Sequence, residues 1–319
     1  MKTNLFSCVY RYSLMVLLFF CLIISYGCTG AARSAASSPV EAKLGVLIIH
    51  GVGSQNEDFA DPMIEELKER ISDQAKIQWK TVYWAPILES AENKLLHELF
   101  PGREPPDWFE LRKLVMNYVG DVTAYRYLPT SSSQPQKTNK YDDIHEKVHK
   151  SIVELRESLG SADKPLIVMA HSLGSVIMFD YIRDRQEKRD GDPYGNTKFE
   201  RMETLAGFIT FGSPIPLFQL ANDPVQCITF PPDNLTKDLK DKAKWLNFYD
   251  QDDVLGWPVL YLCNHCTAPL KPCVIEDKQI NVGDISTFWY AMCHNKYWTD
   301  NNFTKPVAKY ITEILRACP

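Results

Sequence analysis

Between Leu166 and Asp180 the chain changes from one backbone period to another with no room for a loop. Leu166-Ile-Val-Met-Ala170 is a continuous apolar run of strand character. His171-Ser172-Leu173-Gly174 follows, and a helical pattern opens at once through Val176-Ile-Met-Phe-Asp180. A strand can enter a helix that quickly only through a sharp turn, and such a turn lifts the side chain at its tip clear of the backbone. Here the tip is Ser172. Turns of this kind usually read Gly-x-Ser-x-Gly. Ala170 stands in place of the first glycine, and alanine keeps the side chain small where neighbouring backbone comes close.

The rest of the chain repeats the same alternation, which is the pattern of a mostly parallel sheet covered by helices. Strands are predicted at Leu44–His50, Ile77–Trp84, Pro165–Ala170, Leu205–Phe211 and Trp245–Tyr249. Helices are predicted at Asp58–Ser72, Tyr141–Leu159, Leu173 to about Arg185, and Val307–Leu315. Three stretches break the repeat and read as cap or lid insertions, at about 85–139, 186–203 and 215–241. The first holds helical pieces at Leu95–Phe100 and Leu111–Val119, and the last leads toward a cluster of acidic residues and is expected to hang over the Ser172 face.

A serine hydroxyl needs a positioned imidazole to take its proton. In enzymes built on such a turn the partners follow in chain order, acid and then histidine. Of the seven histidines, only His265 and His294 follow an acid placed beyond residue 245. His265 sits inside a cysteine-rich stretch, whereas His294 lies in a loop before the terminal helix, and it is the expected base. Asp250, Asp252 and Asp253 share the turn after the Trp245–Tyr249 strand and are the candidate acids. An oxyanion hole needs two backbone N–H donors. Leu173, next to the nucleophile, supplies one. The loop His50-Gly51-Val52-Gly53 supplies the other, from Val52 in preference to Gly53.

With these motifs in order, the chain resembles the α/β-hydrolase superfamily over nearly all of residues 44–319. The run Ala170-His-Ser-Leu-Gly-Ser-Val-Ile-Met-Phe-Asp180 resembles the elbow of class 3 lipase-type and phospholipase A1-type enzymes. Asn117-Tyr-Val-Gly-Asp121-Val-Thr-Ala-Tyr125 and His294-Asn-Lys-Tyr-Trp298 are similar to segments of those groups and of related bacterial hydrolases. The resemblance implies hydrolysis of lipid or other acyl esters through an acyl-enzyme on Ser172, without a cofactor. It also favours Asp253 as the acid, because an aspartate followed by an aliphatic residue, with a proline a few positions on, resembles this loop in lipase-like proteins; Asp250 is the runner-up. A peptidase or amidase with the same three residues, or a non-catalytic binding module of the same fold, are the alternatives.

The ends of the chain bear on where it works. Lys2 and Arg11 precede Leu14–Ile24, an uncharged apolar run shorter than a membrane span, so residues 1–27 read as a signal peptide. Ser25-Tyr-Gly-Cys28 then resembles a lipoprotein processing site, with Cys28 as a lipidated membrane tether and residues 28–43 as a flexible linker. Export to the periplasm, to a membrane-tethered position or out of the cell is expected. The net charge of −5 becomes more negative once Lys2 and Arg11 are removed, which argues against nucleic acid as a partner. Nothing in the sequence sets an oligomeric state. Three of the nine cysteines lie at or before Cys28; the other six fall in the last third, and in an exported chain they read as up to three disulfides. A zinc site at Cys263, His265, Cys266 and Cys273 is the alternative to those disulfides.

Overall fold

A computed structural model describes residues 40–53, 55–100, 112, 115–125, 140–187, 195–266, 274–283 and 290–319. The leader, Cys28, nearly all of the linker and parts of the first two insertions lie outside these residues. Residues 41–319 form one compact unit.

The described residues contain six strands: β1 Leu44–Ile49, β2 Ile77–Val82, β3 Leu166–His171, β4 Leu205–Phe211, β5 Lys244–Tyr249 and β6 Ile275–Gln279. All neighbours pair in parallel, in the order β2-β1-β3-β4-β5-β6. Parallel neighbours demand crossovers, and helices supply them. The main crossover helices are α1 Asp61–Arg70, α2 Pro86–Leu99, α3 Lys140–Leu159 and α4 Leu173–Gln186, and a terminal helix, α5 Asn301–Ala317, follows the last strand. The central strands β1, β3 and β4 are buried throughout, which is why they read as unbroken apolar runs. The edge strands β2 and β6 are partly exposed.

Two glycines show how closely helices approach the sheet. A Cβ on Gly45 of β1 would stand 2.9 Å from Leu159 of α3, and one on Gly207 of β4 would stand 2.9 Å from the Tyr310 ring of α5. Gly45 pairs with Leu166 and Gly207 with Ile167, so the two glycines face opposite sides of the sheet. Helix α3 therefore covers one face and α5 the other, with α1 packed against α5. The Tyr310 hydroxyl fixes α5 further, accepting from Lys244 N–H (2.8 Å) and donating to Ala206 C=O (3.0 Å). Helix α4 is buried along nearly its whole length.

Two elements depart from the sequence expectation. Helix α5 begins at Asn301 rather than Val307, because the Asp300 carboxylate caps its first turn by accepting from Asn302 N–H. Pro306 lies inside the helix and forfeits one backbone bond there. Strand β6 is the second departure; its Ile-Glu-Asp-Lys-Gln sequence is charged as edge strands commonly are. In the first insertion the piece expected at Leu95–Phe100 is the end of the longer α2. Part of Leu111–Val119 lies outside the described residues, and Met116–Gly120 forms a wide helical turn continuing into the short helix Asp121–Tyr125.

Candidate active site

The turn between β3 and α4 has the strained geometry that the sequence demands. Ser172 sits at φ 51°, ψ −130°, a region that non-glycine residues enter at a cost of about 1–3 kcal/mol. Packing and hydrogen bonds hold it there. Ser172 N–H donates to Phe211 C=O (3.0 Å), and the Ser172 carbonyl accepts from Ser175 N–H (2.9 Å) and the Ser175 hydroxyl (2.6 Å). Neighbouring backbone leaves no space for larger residues. A Cβ on Gly174 would lie 2.4 Å from the His50 carbonyl oxygen, and one on Gly51 would lie 2.4 Å from Ser172 Cβ.

Three loops at the carboxyl ends of β3, β5 and β6 bring Ser172, Asp253 and His294 together, where ligand sites of open parallel sheets form. The Ser172 hydroxyl is 2.7 Å from His294 Nε2, and His294 Nδ1 is 2.9 Å from each oxygen of Asp253. All three residues are buried. Burial raises the Asp253 carboxyl, but hydrogen bonding and charge from His294, with hydrogen bonds from Leu255 N–H and the Tyr297 hydroxyl, outweigh it and hold the group below its ordinary range. Two glycines make room for the pair. A Cβ on Gly212, at φ +56°, would stand 3.0 Å from His294 Cε1, and one on Gly256 would stand 2.7 Å from Asp253 Oδ2.

Asp250, the runner-up, is engaged elsewhere. Its carboxylate accepts from Asp252 N–H (2.9 Å) and Val282 N–H (2.6 Å), so it ties the acid loop to the segment after β6. His265 is exposed, with Nδ1 2.9 Å from Tyr261 C=O. Cys266 closes a disulfide with Cys227, and Cys263 is also disulfide-bonded, which removes both thiolates from any zinc site. Cys273 lies outside the described residues.

Val52 and Leu173, the expected oxyanion donors, both line the cavity that Ser172 faces. Gly53 N–H is engaged elsewhere, donating to Asp121 Oδ2 at 2.8 Å, which leaves Val52 as the donor candidate from that loop.

Three residues without an assigned role from sequence support this arrangement. Tyr297 bridges the acid loop, donating to Asp253 Oδ2 (3.0 Å) while accepting from Asp250 N–H (2.9 Å). His171 donates from Nε2 to the His294 carbonyl (2.7 Å), and burial, with the His294 ring beside it, pushes its imidazole down to about 3. It is therefore neutral, and places no competing positive charge beside His294. His50 donates from Nδ1 to Gly51 C=O (2.8 Å), accepts Trp84 N–H at Nε2 (3.1 Å) and is driven down to about 4 by burial. A histidine immediately before the elbow serine, and another before Gly51, are the available sequence signals; neither carries a role until its partner is known.

The cavity at Ser172 has a volume of about 880 Å³ and is walled mainly by apolar side chains, among them Val122, Val176, Phe179, Ile215, Leu217 and Phe218. Ser172, Val176, Phe179 and Arg183 follow one another along α4, so the cavity runs about 16 Å along that helix. Its far end is polar, with Arg183, Asp180 and Gln226.

An all-parallel sheet in this order, with the Ser172 turn after β3, the Asp253 loop after β5 and His294 between β6 and the last helix, decides the architecture. The chain has the α/β-hydrolase fold. No family model matches its sequence. Over an alignment 168 positions long that covers 50% of it, the chain is 28% identical to a Schizosaccharomyces pombe protein described as a probable mitochondrial phospholipase; the match covers 19% of that protein. The chain thus spans about a fifth of the length of that curated relative. Among solved structures, one from work on two metagenome-derived lipolytic enzymes aligns with TM-score 0.36 and 13% identity over 87% of this chain and 95% of the other. Another, from work on two Rhizomucor miehei esterases, aligns with TM-score 0.41 and 10% identity over 89% of this chain and 77% of the other.

Proposed function

We propose that this protein is a serine hydrolase of carboxylic esters, with Ser172 as nucleophile, His294 as general base and then acid, and Asp253 as the group that orients the imidazole. The observation that carries the proposal is the continuous hydrogen-bonded chain from Ser172 Oγ through His294 to Asp253, buried at the mouth of an apolar cavity. In this scheme His294 Nε2 takes the hydroxyl proton as Ser172 Oγ attacks the ester carbonyl. Asp253 holds the Nδ1–H and stabilises the imidazolium. The N–H groups of Val52 and Leu173 receive the oxyanion, each such donor being worth about 3 kcal/mol. Collapse expels the alcohol, protonated by His294, and leaves an acyl-enzyme. A water, deprotonated by the same imidazole, then releases the acid and restores Ser172.

The cavity favours an acyl group over a peptide. Its apolar wall along α4, from Ser172 to Phe179, is about 10 Å long and matches an extended chain of about eight carbons. The probable phospholipase among the relatives is consistent with lipid esters as substrates. The Cys227–Cys266 disulfide fits the oxidising setting that the leader implies, and lipidation of Cys28 would keep the enzyme at a membrane.

Labelling with a fluorophosphonate probe tests the assignment. The wild type should be labelled at Ser172 and should hydrolyse p-nitrophenyl esters, and Ser172→Ala should lose both while keeping its thermal midpoint. Hydrolysis that survives in the alanine variant would refute the serine mechanism.

A further inference from the structure

The segment Met116–Tyr125 has no part in the mechanism above, yet it holds a buried carboxyl against the oxyanion loop. Asp121 is only 3% exposed and lies 68 residues from Gly53, whose N–H it accepts at 2.8 Å. Gly53 stands at φ +88°, so the loop turns through a left-handed residue at the point where Asp121 grips it. Gly53 N–H belongs to the peptide that joins Val52 to Gly53, so anchoring it holds one side of Val52 and leaves only the two backbone dihedrals of Val52 to turn its own N–H. We propose that Asp121 is a positioning residue for the oxyanion hole: by engaging Gly53 N–H it aims Val52 N–H at the oxyanion formed on the Ser172 adduct. The proposal rests on Ser172 being the nucleophile.

The setting of Asp121 argues for that role over simple packing. The group is buried beside two other acids, Glu92 and Glu89 of α2, and desolvation first, then these neighbours, push its carboxyl up to about 7 despite the Gly53 N–H. Burying a carboxyl in such company costs stability, and packing alone would be better served by an apolar side chain. The same short segment also shapes the cavity. Tyr118 and Val122 line it, while the Tyr125 hydroxyl, donating to Asp180 (3.1 Å), secures the segment to α4. The clamp on the loop and the wall of the cavity are thus one element.

Asp121→Ala and Asp121→Asn separate positioning from structure. An asparagine can accept Gly53 N–H through its amide oxygen while its NH₂ faces Glu92; an alanine cannot. The wild type and both variants would be assayed with a p-nitrophenyl ester and with a trifluoromethyl ketone, which adds to the serine and presents an oxyanion. Asp121→Ala should lower kcat by about 10- to 100-fold with KM within about twofold, and weaken the ketone by the same factor. Asp121→Asn should stay within about threefold of wild type on both measures. Should the alanine variant fail to fold, Asp121→Ser, whose hydroxyl is too short to reach Gly53, is read the same way. An alanine or serine variant with wild-type kcat, an asparagine variant as impaired as alanine, or a loss confined to KM with ketone affinity unchanged would overturn the proposal. A wild type that neither turns over nor reacts with fluorophosphonate would instead sink the nucleophile assignment, and this proposal with it.

Discussion

The two buried imidazoles that flank the site set an acid limit on stability. His50 and His171 are both buried and neutral, held down to about 4 and about 3 chiefly by burial. In the unfolded chain each protonates near about 6.5. A depressed folded value means that each histidine contributes stability that is present above about 6.5 and is lost as pH falls toward the folded value. One bound proton changes stability by about 1.4 kcal/mol per pH unit, so the pair alone gives about 2.7 kcal/mol per unit between about pH 6 and about pH 5. Asp121 acts with the opposite sign. Its carboxyl, pushed up to about 7, keeps a proton in the folded state that the unfolded chain has already released above about 4. Over the same window it cancels one of the two, leaving a net loss of about 1.4 kcal/mol per unit of acidification. That is a substantial fraction of the roughly 5–15 kcal/mol typical of a folded domain.

Urea denaturation at half-unit steps across this window measures the effect directly, because a change in midpoint at constant m reports stability alone. The window lies above the range in which most carboxylates titrate, so Asp253 and the surface acids contribute little to the slope. Asp121→Asn should remove the opposing proton and steepen the loss to about 2.7 kcal/mol per unit. Stability that is flat between about pH 6 and about pH 5, or a slope that Asp121→Asn leaves unchanged, would refute the assignment of neutral buried imidazoles opposed by a protonated Asp121.

Two further outcomes follow from the site geometry. Asp253→Asn should reduce kcat by about 10³- to 10⁴-fold by disturbing the His294 tautomer, whereas Asp250→Asn should keep kcat within about fivefold and lower the thermal midpoint, because its carboxylate serves Asp252 and Val282 N–H groups. Steady-state kinetics and thermal melts on both variants check this. On an acyl-length series of p-nitrophenyl esters, the wild type should accept chains up to about eight carbons, and Val176→Trp, part-way along the cavity, should shift the optimum to about four carbons or fewer without loss of fluorophosphonate labelling.

The parts of this molecule that are legible in sequence are those written in local period. The Leu166–Ala170 run into His-Ser-Leu-Gly announces a strand entering a helix, and β1, β3, β4 and β5 are apolar enough to read as buried strands. Strand β6 escapes such a reading because Ile-Glu-Asp-Lys-Gln lies at the sheet edge, where solvent accepts its charges and erases the pattern. The supports of the site are hidden for a different reason. Tyr297, His171 and Asp121 act through one or two hydrogen bonds to loops distant in sequence, and nothing in a residue's neighbours shows that such a bond exists. In sequence Asp121 stands out only as part of a segment similar to those of lipase-like proteins, since its partner Gly53 lies 68 residues away.

Glycine offers a middle case. Gly51 reads as a place where backbone comes close to substrate, and its missing Cβ is what lets the loop pass Ser172. Gly212 and Gly256 serve His294 and Asp253 in the same way without belonging to any motif, although Gly212 directly follows β4 and Gly51 follows β1 with only His50 between. In a parallel sheet whose site forms at the carboxyl ends of strands, a glycine just past a buried strand is therefore a signal in its own right. It marks where side-chain volume had to be removed so that groups from other loops could meet. By that rule Phe211-Gly212 is a sequence-level pointer to the end of β4 as a meeting place for the histidine and the acid, independent of the serine motif on the neighbouring strand.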